Sequence, residues 1–195
     1  MRQPTHRLII TFCSRDYIPV LANFVAALRK LKRRPLRVYC LDADTYDFCL
    51  SADVQARRVA WDGSLESLWT KRVEVFCDLM EDKHDFIHSD ADAIWLRDPV
   101  DLWTSGDVDM SFSQGAIHPP DTHRALGFVL CCGFFRVNAT AEDPMDTKGQ
   151  VCAKHPLSAK NPRDKLNEFA EQGLLTVRPD WSDQPITAVF EDYFS

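Results

Sequence analysis

The sequence predicts an α/β protein built on a doubly wound, mostly parallel sheet, and two observations support this prediction. Short apolar runs rich in β-branched residues, such as RLIITFC at residues 7–13, are typical of strands that are buried on both faces. These runs alternate with longer segments whose apolar residues recur at helical spacing, and this alternation is typical of parallel sheets covered by helices. In such sheets, ligands bind beyond the carboxyl ends of the strands.

The first half of the chain shows this alternation most clearly. The segment at residues 16–31 places apolar residues at helical spacing, with Pro19 in its first turn, and the segment at residues 64–82 opens on Ser64 with an acid in the next turn, as a capped helix does. Strands are predicted at residues 7–13, 35–42, 56–61 and 85–89, and helices at residues 16–31, 42–50 and 64–82.

The second half predicts further strands and two helices. Gly173 closes one helical segment, and Pro185 lies early in the other. Strands are predicted at residues 107–113, 127–137 and 174–179, a loop at residues 114–126, and helices at residues 162–173 and 182–194.

The composition indicates one soluble globular domain over residues 1–195. The chain is 45% hydrophobic and 27% charged, and its 12 Phe and 5 Trp supply bulky core side chains. A formal net charge of -6 gives nucleic acid no general electrostatic attraction, so we expect no nucleic-acid partner. The basic run at residues 29–34 is interpreted as the solvated end of a helix, with an anion-binding patch as the alternative.

Cysteine usage and hydropathy bear on the cellular compartment. Seven scattered cysteines without a C-x-x-C pair favour reduced, buried thiols over a disulfide framework. The N-terminus lacks the apolar core of a signal peptide, and no run of about 18 apolar residues is present to span a membrane. We therefore expect no membrane span and a cytoplasmic protein, or a Golgi-lumenal one if an N-terminal anchor has been removed.

An acidic segment follows the strand at residues 85–89. In extended backbone, residues two apart point the same way, so Asp90 and Asp92 are expected to present their carboxylates on one side. Two converging acids favour a hard cation such as Mn²⁺ or Mg²⁺, whose open positions are usually filled by substrate phosphates. The alternative is that both acids face water in a turn. Ile94, Trp95 and Leu96, which are expected to return to the core, favour the metal–diphosphate site.

The segment HSDADAIWLRDPVDLW at residues 88–103 resembles the signature of nucleotide-diphospho-sugar transferases. The resemblance is to the retaining family that includes plant cell-wall arabinosyl-, xylosyl- and galactosyltransferases. Further segments are similar in order and spacing, so that the resemblance covers nearly the whole chain: residues 8–31, 37–49, 68–81, 126–140 and 181–190.

The resemblance implies a GT-A fold with a D-x-D motif at a strand end and a Mn²⁺- or Mg²⁺-dependent enzyme. It implies transfer of a sugar from a nucleotide-diphosphate donor, most often UDP-linked, to a glycan, protein or small-molecule acceptor with retention of configuration. Asp90 and Asp92 would hold the metal, Lys71 would approach the diphosphate or the donor sugar, and Asp183 and Gln184 would contact the transferred sugar. The residues implied in nucleotide binding are Thr11, Phe12, Cys13, Asp42 and Asp90.

Two features depart from the family pattern. Cys131-Cys132-Gly133 stands where a polar residue usually precedes Gly-Phe. Related enzymes also take a third metal ligand, commonly His, from a C-terminal segment, and we expect this single domain to lack that segment because the sequence ends at Ser195. The histidines that would substitute are His88, His118 and His123.

Alternative interpretations stay open at the level of sequence. The domain would bind nucleotide sugars or carbohydrates without catalysis if the missing ligand is essential. A D-x-D metal phosphatase fits poorly, because such enzymes place the acids after the first strand and follow them with Thr. Lys71 and Arg72 are equally compatible with an exposed pair on a helix, and Asp42 with a helix cap. Three tryptophans would either stack on sugar rings or pack in the core: Trp95, Trp103 and Trp181.

Overall fold

The computed structural model describes residues 7–32, 35–99, 110–115, 120–138, 153–154 and 162–174. Several predicted features lie outside these ranges: the helix at residues 182–194, residues 175–179, Trp103 and Trp181. The helices are α1 (Ile18–Lys30), α2 (Ala43–Ser51), α3 (Leu65–Glu81), α4 (Pro120–Leu126) and α5 (Pro162–Glu171). The strands are β1 (Leu8–Cys13), β2 (Leu36–Cys40), β3 (Gln55–Arg58), β4 (Phe86–Ser89), β5 (Ile94–Trp95), β6 (Met110–Gln114), β7 (Leu130–Val137) and β8 (Ala153–Lys154).

Six strands form one sheet in the order β3-β2-β1-β4-β7-β6. The four strands from the first half of the chain are parallel, and β7 and β6 add antiparallel pairs at one side. Because parallel strands end at the same edge, the residues that follow β1, β2 and β4 are brought together. The predicted doubly wound, mostly parallel sheet is confirmed.

Apolar cores lie on both faces of this sheet. Ile9, Val38 and Ile87 pack with α1, while Ile10 and Phe86, their alternating neighbours, pack with α3. This alternation is what a strand buried on both faces requires, because successive side chains point to opposite faces. Each face of β1 and β4 therefore carries its own covering helix.

The helix ends follow the signals in the sequence. Ser64 caps α3, because its hydroxyl accepts a hydrogen bond from the Ser67 amide at 3.0 Å. Gly173 follows α5 with a φ of 67°, and the Leu174 amide then donates to the Phe169 carbonyl at 2.7 Å. This left-handed residue lets the chain close the helix without the steric cost of a side chain.

Three expectations need correction, and one feature was not predicted. The predicted loop at residues 114–126 contains the short helix α4, and β5 pairs with β8 in a separate two-stranded ribbon that the sequence pattern did not indicate. Leu96 is 44% exposed and does not return to the core, unlike Ile94 and Trp95. The expectation of buried thiols holds for Cys13, Cys40 and Cys49, which are buried. It is wrong for two other cysteines in the described ranges, Cys77 and Cys132, which are exposed.

The structure bears on one further expectation from hydropathy. Within the described part of the chain, no helix is long and apolar enough to cross a membrane.

Candidate active site

The candidate site lies at the edge where β1, β2 and β4 end. The Leu41 amide donates to the Cys13 carbonyl at 2.9 Å, which holds the ends of β1 and β2 side by side. Asp42 follows β2, and Asp90 follows β4 directly. The site therefore stands where ligands bind in open α/β sheets.

Asp90 lies against two side chains on the α3 face of the sheet. Its Oδ1 lies 3.1 Å from Nη2 of Arg72 and 3.1 Å from Nε2 of His88. Arg72 is 5% exposed and His88 is fully buried, while the Asp90 side chain keeps 30% exposure. Arg72 thus fixes a partly solvent-accessible carboxylate, and the buried His88 ring lies beside it.

The protonation of His88 follows from its neighbours. Nη2 of Arg72 lies 2.5 Å from Nε2 of His88. Because a guanidinium only donates, a neutral His88 accepts at Nε2 and keeps its proton on Nδ1. Burial lowers the pKa of His88, and the charge of Arg72 lowers it further. Asp90 raises it by less than these two effects lower it, so the pKa of His88 lies below its usual value. The neutral imidazole leaves the charge of Asp90 to be balanced by Arg72.

Backbone groups of β7 complete the support of Asp90. The Asp90 amide donates to the Gly133 carbonyl at 2.7 Å, and Nη2 of Arg72 donates to the Cys132 carbonyl at 3.0 Å. A Cβ at position 133 would lie 2.8 Å from Oδ2 of Asp90. The segment that departs from the family pattern therefore contributes carbonyl oxygens and the space left by a glycine.

Asp92 turns toward a different element. Nζ of Lys165, on α5, contacts Oδ2 of Asp92, and both residues are less than a tenth exposed. The Lys165 ammonium also lies 5.8 Å from the centre of the Tyr17 ring. Burial lowers the pKa of Lys165, and the charges of Asp90 and Glu168 oppose this shift.

The expectation that Asp90 and Asp92 follow an extended backbone is wrong. The chain turns directly after β4, and the Ala93 amide donates to the Asp90 carbonyl at 2.9 Å. Trp95 fixes the far side of this turn, since its indole donates to the Ser89 hydroxyl at 3.1 Å and its ring packs on Phe134. Trp95 is a core residue, and the two carboxylates face different partners.

The predicted nucleotide-binding residues of β1 lie in different environments. Thr11 is fully buried, and Cys13 is 2% exposed. Burial, with Cys40 and Asp42 nearby, raises the pKa of the Cys13 thiol well above its usual value, so the thiol stays protonated. Phe12 is half-buried and stacks on Tyr39 with 5.1 Å between ring centres. The nucleotide-binding roles of these residues remain predictions.

Asp42 acts as a cap that joins two segments of this edge. Its Oδ1 accepts from the Thr45 amide at 2.8 Å and its Oδ2 from the Arg15 amide at 2.6 Å. Partial burial on its own would raise the pKa of Asp42. The hydrogen bonds from Thr45 and Arg15 lower it by more, so the pKa of Asp42 lies below its usual value. The carboxylate thus orders the loop after β1, and its contact with a nucleotide stays a prediction.

Lys71, the predicted diphosphate-binding residue, does not reach the Asp90 cluster. Its ammonium pairs with Glu74 at 2.7 Å, whereas its neighbour Arg72 enters the cluster. A signal for Arg72 exists in the sequence, because it shares a helical face with Val75 and Leu79, the buried residues of α3. Lys165 carries a similar but weaker signal, because it lies four residues before Phe169, a buried residue of α5.

The oxygen ligands at this edge suit a hard divalent cation. Asp90 and Asp92 offer carboxylates, which Mn²⁺ and Mg²⁺ prefer. In the described ranges, no group of three His, Cys, Asp or Glu side chains comes together as a ready ligand set. Lys165 stands at Oδ2 of Asp92, so a cation held by both acids would lie next to an ammonium group.

Other predicted site residues fall elsewhere. Asp183, Gln184 and His118 lie outside the described residues, and their roles stay predictions. His123 lies on α4 and is half-buried, near the end of that short helix.

A mostly parallel sheet with two acids and a buried arginine at its carboxyl edge defines an α/β protein whose ligand site is expected at that edge. The chain belongs to the nucleotide-diphospho-sugar transferase family, whose model matches residues 32–145. That match includes Arg72, Asp90, Asp92 and Gly133. No protein with curated annotation matches the chain.

Solved structures are similar to this chain in fold. The bifunctional glycosyltransferase WbbM has a TM-score of 0.50 at 8% identity, over 70% of this chain and 32% of its own. The galactosyltransferase LgtC has a TM-score of 0.48 at 13% identity, over 68% and 58% of the two chains. GlyE of Streptococcus pneumoniae TIGR4 has a TM-score of 0.48 at 14% identity, over 69% and 34%.

The predicted GT-A fold is confirmed by the family match, by the mixed six-stranded sheet flanked by helices, and by the likeness in fold to WbbM. The chain spans between 32% and 58% of the length of the three solved proteins.

Proposed function

We propose that the protein transfers a sugar from a UDP-linked donor to an acceptor, with retention of configuration and with a divalent cation. The observation that supports this most is the position of Asp90 and Asp92, which lie within the segment matched to the nucleotide-diphospho-sugar transferases and at the carboxyl edge of the parallel sheet. Family membership and the GT-A fold support a glycosyltransferase, and the donor, the metal and the stereochemistry are the proposed details.

The described residues would divide the work of binding the donor. Asp90 and Asp92 would hold the cation, which when bound would stabilise, as a Lewis acid, the charge developing on the departing nucleoside diphosphate. Arg72 fixes the Asp90 carboxylate, so that the ligand is in place before the donor arrives. The half-buried ring of Phe12 offers an aromatic surface at the same edge.

Arg72 has further donor capacity at this position. Its Nε is buried and, among the described residues, has no hydrogen-bond partner. A buried donor of this kind is costly unless something accepts from it. Because Nε is buried, a diphosphate bound next to Asp90 would accept from it only after the Arg72 side chain turns, and we propose such a phosphate-binding role for this side of the edge.

Contact with the transferred sugar is assigned to Asp183 and Gln184 on the basis of the family resemblance. Retention needs a carboxylate beneath the anomeric carbon or a front-face route through an oxocarbenium-like state, by the logic that governs glycosidases. We propose Asp183 as a residue that binds a sugar hydroxyl or lies beneath that carbon.

A panel of nucleotide sugars, assayed with Mn²⁺ and with a chelator, tests this function. We expect one UDP-sugar to be hydrolysed or transferred with release of UDP, and we expect the chelator to abolish the reaction. Tight binding of UDP without turnover of any donor would instead indicate a nucleotide-sugar-binding domain. A protein that neither binds UDP nor turns over any donor would contradict the proposal.

A further inference from the structure

The ion pair between Lys165 and Asp92 connects the candidate site to α5. Nζ of Lys165 contacts Oδ2 of Asp92, and the two side chains are 9% and 8% exposed. Lysine and aspartate are rarely buried to this extent unless they are paired. The pair therefore places a positive charge inside the turn that carries the candidate metal ligands.

Both partners of this pair are held in place by apolar packing. On α5, the next residue, Leu166, and Phe169 are each 1% exposed and belong to the core cluster that includes α1. On the other side, Ala93 is 1% exposed and Trp95 anchors the end of the turn. The contact between Lys165 and Asp92 thus follows from the packing of two rigid elements.

The Lys165 ammonium lies at the carboxylate that would hold a divalent cation. The ammonium contacts Asp92 and also interacts electrostatically with Asp90. A divalent cation and an ammonium at the same carboxylate repel each other, and the repulsion is strong where water is largely excluded. Two positive groups at the Asp92 carboxylate therefore compete for its negative charge.

We propose that Lys165 is a built-in counter-ion that competes with the divalent cation for Asp92 and leaves this carboxylate when the metal and the donor bind. The proposal rests on the proposed metal site. Lysine suits this role because its ammonium is a point charge on a flexible four-carbon chain that can exchange one anion for another. A bound diphosphate would give the displaced ammonium a new partner, so metal and nucleotide would each strengthen the binding of the other.

Calorimetry with Mn²⁺ alone tests the competition directly. Lys165→Met removes the ammonium and keeps a chain of similar length, so we expect Mn²⁺ to bind this variant about tenfold more tightly than the wild type, the loss of one charged contact being of that order. Lys30→Met, at the exposed end of α1, is the matched control and should leave the affinity unchanged. Equal or weaker Mn²⁺ binding by Lys165→Met would overturn the proposal.

Thermal unfolding with and without Mn²⁺ separates this role from a purely structural one. Loss of Lys165 leaves Asp92 as an uncompensated buried charge, so Lys165→Met should unfold at a lower temperature, and Mn²⁺ should raise that temperature more than it does in the wild type. A structural pair would give the first effect without the second. Lys165→Gln keeps a hydrogen-bond donor for Asp92 and decides the question if Lys165→Met does not fold.

Binding of UDP distinguishes failure of this proposal from failure of the proposed function. If the wild type and Lys165→Met both bind Mn²⁺ and UDP, and do so with equal affinities, the counter-ion role is wrong and the proposed function stands. If the wild type binds neither Mn²⁺ nor UDP, the proposed function itself is wrong. The double variant Asp92→Asn with Lys165→Met should be stable and should lose the Mn²⁺ binding, and retained binding in it would also overturn the counter-ion role.

Discussion

Nη2 of Arg72 lies 3.1 Å from Oδ1 of Asp90, which joins the middle of α3 to the turn after β4. The same guanidinium donates to the Cys132 carbonyl and lies 4.4 Å from the centre of the Trp69 ring. Arg72 therefore connects α3, β4 and β7 at the candidate site. Removing it would affect the position of the carboxylate and the stability of the fold together.

Arg72→Met tests this connection. The substitution keeps much of the apolar contact but leaves Asp90 without its cation, so we expect the free energy of unfolding to fall by about 2–3 kcal/mol. Lys71→Met, one residue away on the same helix, removes only an exposed pair with Glu74 and should cost about 0.5 kcal/mol or less. Urea denaturation of both variants measures the difference, and equal costs would show that Arg72 has no special role.

Gly133→Ala tests whether the position of the Asp90 carboxylate matters for activity. The new methyl group would lie 2.8 Å from Oδ2 of Asp90 and would push the carboxylate out of place. We expect kcat/KM with the active donor to fall between about tenfold and a hundredfold, because small misplacements of catalytic groups are costly. Cys132→Ala is the control on the same strand, since Arg72 uses only the backbone carbonyl of that residue. Full activity in Gly133→Ala would contradict the placement of Asp90.

The lowered pKa of Asp42 predicts a pH-dependent contribution to stability. A carboxyl whose folded pKa lies below its unfolded value stabilises the fold above that unfolded value, about 3.9, and loses this contribution as the pH falls through the folded pKa. Asp42→Ala should cost about 1 kcal/mol at pH 7, as the loss of a helix cap does. The difference from the wild type should shrink as the pH falls below 4. Denaturation at a series of pH values would contradict this if the difference stayed constant.

Asp183→Asn separates sugar contact from nucleotide binding. The asparagine keeps the size of the side chain and removes its charge, so we expect UDP affinity to stay within about twofold while kcat falls by tenfold or more, roughly the range of a lost catalytic carboxylate. Calorimetry with UDP and a transfer assay give the two values. Full kcat in this variant would remove Asp183 from the mechanism.

The sequence predicted the elements that are buried on both faces. The runs that became β1, β2 and β4 are largely apolar, and the helices α1 and α3 carry clear periodicity and end signals such as Ser64. The helix α4 was missed because seven residues with little apolar content show no periodicity. The two-residue strands β5 and β8 are too short to give any pattern.

The candidate site was predicted in part. Asp90 and Asp92 were placed at the end of a buried strand, but their orientation depended on the turn that begins directly after Ser89. The partner of Asp92 lies on a helix far along the chain, and helical periodicity in α5 predicts a buried face without predicting which element covers it. Pairings of this kind are set by tertiary packing and leave no local signal.

Titration of UDP into the wild type and into Asp90→Asn, with Mn²⁺ present and absent, tests the central claim most directly. Asparagine keeps an oxygen that accepts from Arg72 but lacks the negative charge that a hard cation needs. We predict UDP binding to the wild type that requires Mn²⁺, and a loss of at least about tenfold in affinity in Asp90→Asn. UDP binding that is identical in the two proteins and indifferent to Mn²⁺ would contradict the assignment of this edge as the nucleotide-sugar site.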